Sequence, residues 1–384
     1  MDTCICDISA LKFWRTPPVV RLLVAGQEDS DALARQISQD ELTAFRTGLY
    51  TSLPFCAAFA SGPAWRRYCG QAQILREQFM ALAPSLNTPV DILARDKTER
   101  RTSSLLKPRL WSGELPAGSI IELTDELSAA APAFALQQVA ARASWLRTYM
   151  IASELCGSFA IYTPPAPIRA FMQKLLDEQR LPKCGDWEPF VSNGHLTNLW
   201  KREPLMSVSD LVSFAEECES TRGMAKILSV AKLLKPNAAS PLEVQTGMLL
   251  GLPRRLGGEG YAGFKFNAKV DLSREAKALA RRDYCYCDLY WEESSLDIEC
   301  QSMMAHNSWS SFVSDFDRAT ALGQMGIQVM FATSESIFQR REAFLDSVAI
   351  SLEKTRKPMT EKQREAKAAL NRELMLDWSR LLQV

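Results

Sequence analysis

Apolar residues recur at helical spacing over Asp29–Arg46 and Ala64–Leu82, and the short run Pro89–Ala94 then reads as a strand. Lys107–Trp111 and Ser119–Leu123 are further extended segments, separated by the turn residues Ser112-Gly113 and Pro116-Ala117-Gly118. Ala131–Ile151 reads as one long helix, with Pro132 tolerated in its first turn. The proline-rich stretch Thr163-Pro164-Pro165-Ala166-Pro167 breaks the pattern, and a small helical and irregular section runs from Ile168 to about Lys235. A new unit then opens at Ser240, an N-cap followed by Pro241 at the first helical position and Glu243 two places on, a capping-box pattern. The helix Leu242–Leu250 leads through the glycine-rich loop Gly257–Gly263 to a strand at Phe264–Leu272. Two strands then face each other across the polar run Glu292-Glu293-Ser294-Ser295. A helix at Trp309–Met325 is stopped by Gly326, a buried strand follows at Ile327–Ala332, and helices close the chain at Ser334–Leu352 and Thr360–Leu382.

This succession predicts a mixed α/β (α+β) fold in four segments. Residues 1–165 form a mixed α/β domain and 166–239 a helical connection. Residues 240–352 form a core of helix, three strands, helix and strand, and 353–384 a C-terminal helix. A length of 384 residues, 47% apolar and 23% charged, agrees with a globular protein of more than one domain. Lys+Arg and Asp+Glu both total 45, which excludes a generally basic field for nucleic acid and leaves local patches to make phosphate contacts. Ten unevenly spaced cysteines suit a reducing compartment, and Met1–Asp7 has no signal-peptide pattern. With no stretch long enough to span a membrane, the expectation is a cytoplasmic protein without a membrane partner.

The hairpin carries the candidate chemistry. A symmetric turn at 292–295 sets Asp288 directly opposite Glu299, two like charges that repel unless something lies between them. A cation would remove the repulsion, so Asp288 and Glu299 are expected to ligate Mg²⁺ or Mn²⁺, with Glu243 completing the shell through a water. Gln301, beside such a metal, could orient a water for attack on phosphorus. Strand alternation places Cys285, Cys287 and Cys300 together on the other face, where small buried residues are a simpler reading than a zinc site. The glycine loop lacks the Lys-Ser/Thr of a P-loop, so no nucleotide cofactor is expected.

The ordered set Ser240-Pro241-Leu242-Glu243, Gly251–Gly258, Asp288-Leu289-Tyr290-Trp291, Glu299-Cys300-Gln301 and His306, with Asp315, Arg318, Leu322 and Gly326-Ile327 after it, resembles the PD-(D/E)XK nuclease superfamily. More narrowly it resembles the branch related to very-short-patch-repair endonucleases. The resemblance covers about Ser240–Phe338 and implies a restriction-endonuclease-like core, Mg²⁺-dependent hydrolysis of DNA phosphodiesters, and metal ligation by Asp288, Glu299 and Glu243. Gln301 stands where that superfamily usually carries lysine and this branch often aspartate, and it supplies neither charge. Ser9–Arg15, Leu110–Pro116 and Glu154-Leu155-Cys156-Gly157 are similar to abortive-infection type IV antitoxins, which implies a DNA or protein partner in a defence or toxin–antitoxin setting.

Plainer readings stand beside these. Asp288 and Glu299 could be solvated on an edge hairpin, Glu243 a capping residue, Gln301 a surface residue and His306 an ordinary loop residue rather than an aid to leaving-group chemistry. Asp315 and Arg318 have the spacing of a helix-surface ion pair, against a phosphate contact for Arg318. Residues 241–350 hold eleven Lys/Arg against fifteen Asp/Glu, and Arg254 and Arg255 offer a local patch for substrate phosphate, as does the basic run Lys354–Lys367. The alternative to an endonuclease is a fold that binds DNA or protein without cutting.

Overall fold

The computed structural model describes residues 3–25, 36–52, 89–97, 106–125, 127–218, 221–301 and 309–383. The fold is mixed α/β with three sheets. It divides into two compact units: Met1–Thr148 with Ala160–Ala231 and Leu382–Val384, and Tyr149–Phe159 with Lys232–Leu381. The chain changes unit near the expected boundary at 239–240, but residues 166–231 belong with the first unit and the 361–374 helix with the second.

In the first unit a five-stranded sheet has β1 (Thr3–Ile5) at its centre. β2 (Val90–Ala94) and β3 (Leu106–Leu110) lie to one side, β5 (Leu127–Ala130) and β4 (Ile120–Thr124) to the other. β5 runs parallel to β1, and all four of its residues are buried. The region expected to be one helix from 131 to 151 is two, Pro132–Ala140 and Trp145–Leu155. Ser144 caps the second by accepting from the Arg147 N–H at 3.0 Å. Lys226 Nζ donates to the carbonyls of Ala140 (2.7 Å) and Ala143, which the break leaves without helical donors.

A second sheet is ordered β6 (Phe159–Ile161), β8 (His195–Lys201), β7 (Glu188–Ser192), and β7 and β8 lie in the stretch expected to be helical and irregular. Its hairpin turns on Asn193-Gly194, both left-handed at φ 51° and 78°, with Ser192 paired to His195. That is the geometry a two-residue turn needs to match strand twist. Ile168, Met172, Leu175, Leu196 and Trp200 pack with Val20 and Leu23 in one core.

The second unit is built on a four-stranded sheet ordered β12 (Gln328–Thr333), β11 (Leu296–Gln301), β10 (Tyr284–Trp291), β9 (Lys265–Asp271). β9, β10 and β11 are antiparallel, and β12 joins β11 in parallel after the Trp309–Gln324 helix. Ser240 Oγ accepts the Glu243 N–H at 3.2 Å to start the Pro241–Gly251 helix, buried from Leu242 to Leu250. Gly247 and Gly251 let that helix close on the sheet: a Cβ on Gly247 would lie 2.4 Å from the Phe266 ring, and one on Gly251 2.8 Å from that of Phe264. The glycine loop is likewise a packing device. Gly257 has φ 94°, and a Cβ there would meet the Ala366 carbonyl at 2.5 Å. Two helices appear where Ser334–Leu352 was expected to be one, Ser334–Phe338 and Arg341–Ser351.

Candidate functional site: a carboxylate cluster at a break in β10

β9 and β10 pair regularly from Tyr284↔Asp271 to Cys287↔Ala268 and again at Leu289↔Phe266 and Tyr290↔Lys265. The step missing from this ladder is Asp288 against Asn267, and Asn267 has φ 46°. The β10–β11 ladder runs Trp291↔Leu296, Tyr290↔Asp297, Leu289↔Ile298. One more step in the same register reaches Asp288 and Glu299.

At this break the strands exchange faces. Val270, Cys285 and Cys287 pack with Ala276, Ala280, Ala321 and Leu322 of the Arg274–Ala280 and Trp309–Gln324 helices. Phe264, Phe266 and Trp291 instead form the aromatic group against Gly247 and Gly251. In an unbroken strand Phe266 and Val270 would share one face.

Each carboxylate has a definite set of partners. Asp288 Oδ2 accepts the Cys300 backbone N–H at 2.7 Å. Glu243 Oε2 accepts from the Ala239 N–H and from Asn267 Nδ2, both at 2.7 Å, and its Oε1 from Ser240 Oγ at 2.8 Å. Glu299 Oε2 is paired with Arg318, and the fully buried Asp297 faces the Glu299 carboxyl and the Cys287 thiol.

Burial and mutual repulsion dominate the electrostatics. Burial first, then the Asp288 charge, pushes the Glu243 carboxyl up to about 8, against its three hydrogen bonds. Glu299 is pushed up to about 11 by burial, Asp288 and Asp297, with Arg318 opposing the rise but not cancelling it. Asp297 rises to about 6, chiefly through burial. Two ionised carboxylates only accept, so neither can satisfy the other. A proton kept on Glu299 supplies Asp297 with a donor, and the Cys287 thiol is its other neighbour. Asp288 is the common member, since its charge reaches Glu243 and Cys300 as well as Glu299 and Asp297.

Gln301 ends β11, half-buried, paired in register with Thr333. Arg318 pairs with Glu299. Arg254 donates to the carbonyls of Lys357 (2.6 Å) and Pro358 (3.0 Å), and Arg255 is exposed beside it. His306 and the side chain of Asp315 lie outside the described residues. The expectation that Cys285, Cys287 and Cys300 share a face is corrected. Cys300 Sγ lies 3.6 Å from Thr246 Oγ1 on the Pro241–Gly251 helix, whereas Cys285 and Cys287 pack on the other two helices, because the break reverses β10 relative to β11.

Asp297 was missed as a candidate, although its place two residues before Glu299 on one strand could have marked it. In the first unit, Asp7 pairs with Arg142 and Arg109 with Asp91 (2.7 Å), a buried ionic cluster formed from distant positions. No spacing rule brings those residues together. No protein-family model, curated protein or solved structure matches this chain.

Proposed function

We propose that the second unit acts on nucleic acid, holding Mg²⁺ or Mn²⁺ at Asp288 and Glu299 and hydrolysing phosphodiesters. What carries the reading is the convergence of buried carboxylates on Asp288, whose charge raises Glu243, Asp297 and Glu299 alike. Their number and hardness suit a divalent cation. Among the described residues no three His, Cys, Asp or Glu side chains form a ready metal-binding group, so the fit is to an ion that keeps several waters and takes one or two carboxylates. Such an ion supplies Lewis acidity and a more acidic water. Asp288 and Glu299 would fix it, Glu243 would hold the Asn267 side of the break, and the Gln301 amide would orient a water. A restriction-endonuclease-like core is part of this reading, with the Arg274–Ala280 helix inserted between the first two of the three expected strands, and the first unit serves as an antitoxin-like interaction module.

A second reading is favoured by the Arg318–Glu299 pair and by Gln301. A carboxylate already matched to arginine, beside an uncharged amide, suits a unit that binds DNA or protein without cutting. Titration calorimetry with Mn²⁺, wild type against Asp288→Asn, and cutting of plasmid DNA in Mg²⁺ separate the two. Metal binding lost in D288N, with cleavage lost in D288A and E299A, supports the first. A pure protein that binds no Mn²⁺ and leaves DNA intact rejects it.

A further inference from the structure

Tyr284 and Tyr286 are the first outward-facing residues of β10, 41% and 50% exposed, with Cys285 and Cys287 buried behind them. Their rings meet edge to face, centroids 5.5 Å apart, so each retains a surface that nothing in its partner covers. Lys269, paired in register with Tyr286, is ion-paired with Asp271 at 3.2 Å and carries its ammonium over the Tyr284 ring at 4.4 Å from the centroid. Arg281 and Arg282 are exposed in the turn that leads into the strand.

The charge is concentrated here. Residues 241–350 are net acidic, yet residues 265–286 hold six Lys/Arg against three Asp/Glu; Lys265, Lys269 and Lys277 are paired with Glu292, Asp271 and Asp283, and Arg274, Arg281 and Arg282 make up the rest. An aromatic pair on an exposed sheet face, within a basic segment, has two functions to offer at once: ring faces for bases and cations for the backbone. Duplex DNA hides its base faces inside the stack, so exposed rings of this kind reward unpaired bases. Tyr286 lies two residues from Asp288 along the same strand, which brings this surface to the edge of the carboxylate cluster.

We propose that Tyr284, Tyr286 and Lys269 form a stacking platform for unpaired bases of a nucleic-acid strand whose backbone passes the Asp288 site. The inference rests on the nucleic-acid reading above and narrows its substrate class to single strands or unpaired junctions.

The test is fluorescence anisotropy of the full chain with a labelled oligo-dT 20-mer, against a duplex of the same length, in low salt with EDTA. EDTA removes the cation, so loss of hydrolysis or of metal binding does not bear on the outcome. Wild type should bind the single strand more tightly than the duplex. Tyr284→Ala and Tyr286→Ala should each weaken binding about ten-fold, as loss of one stacked base does. Tyr286→Phe, which keeps the ring, should bind like wild type, and circular dichroism checks that each variant is folded. The proposal is overturned if wild type does not bind the single strand, if the duplex binds equally well, or if the alanine variants bind unchanged.

Discussion

Glu299→Gln tests the electrostatics of the cluster directly. The amide has nearly the shape of the protonated acid, cannot ionise, and can still donate toward Asp297. The wild-type carboxyl is raised from its ordinary 4.5 to about 11 by burial and by Asp288 and Asp297. A carboxyl whose native pKa exceeds its unfolded value stabilises the fold fully below the unfolded pKa. That contribution is lost progressively as pH rises toward the native pKa, because the native state holds a proton the unfolded chain has released. The loss is about 1.4 kcal/mol per pH unit for one proton, so from pH 5.5 to 8.0 it amounts to about 3–4 kcal/mol. The unfolding free energy of E299Q minus that of wild type should therefore climb by about that much over this range.

Urea unfolding followed by circular dichroism at several pH values measures the difference, using the transition that the substitution moves, since the chain has two units. Glu243 titrates in both proteins, so its contribution largely cancels. Mn²⁺ should flatten the wild-type slope and leave E299Q unchanged, because a cation at Glu299 takes the place of the proton. A difference that stays level, or falls as pH rises, would refute the retained proton. A slope untouched by Mn²⁺ would count against the cation while leaving the proton in place.

Gly247→Ala places a methyl 2.4 Å from the Phe266 ring and should cost about 1–3 kcal/mol, read as a lowered urea midpoint with an unchanged slope. Arg356→Met leaves Glu259, whose side chain is 4% exposed, with Lys367 at 3.6 Å as its cation among the described residues; a loss of about 3 kcal/mol is expected, measurable by thermal unfolding. Gly194→Ala forces a side chain onto φ 78° in the Asn193-Gly194 turn and should lower the stability of the first unit by about 1 kcal/mol, with hydrogen exchange of the Leu196 and Thr197 amides accelerating first.

What could be read in the sequence was local. Ser240, Pro241 and Glu243 named their helix because capping depends on three neighbouring residues, and the Ser240–Glu243 bonds form as expected. The β10–β11 register from Trp291↔Leu296 to Leu289↔Ile298 followed from a symmetric turn. The hairpin at Asn193-Gly194 was also legible, but lay unread inside a stretch taken as helical and irregular. The helix break at 141–144 was not legible, since it depends on Lys226, more than eighty residues away, capping the carbonyls of Ala140 and Ala143. The faces of Cys285, Cys287 and Cys300 failed for a similar reason. Alternation assumes an unbroken strand, and nothing in the apolar pattern announces that Asn267 takes a left-handed conformation opposite Asp288.

That single irregularity explains why the cluster exists. In a regular sheet, groups on opposite faces are separated by the backbone, and a carboxylate on one face has no short path to partners on the other. Glu243 comes from the helix covering one face, whereas Glu299 meets Arg318 of a helix covering the other. Asp288 feels both because the ladder is interrupted where it stands, with Asn267 donating to Glu243 on one flank and the Cys300 N–H binding Asp288 on the other. Irregular backbone exposes donors and acceptors that must be answered, and here polar side chains answer them. A sheet that kept its period would bury these carboxylates apart and leave each a separate cost. The break gathers them around one residue, so that a proton or a cation bound there lowers the charge that all of them feel.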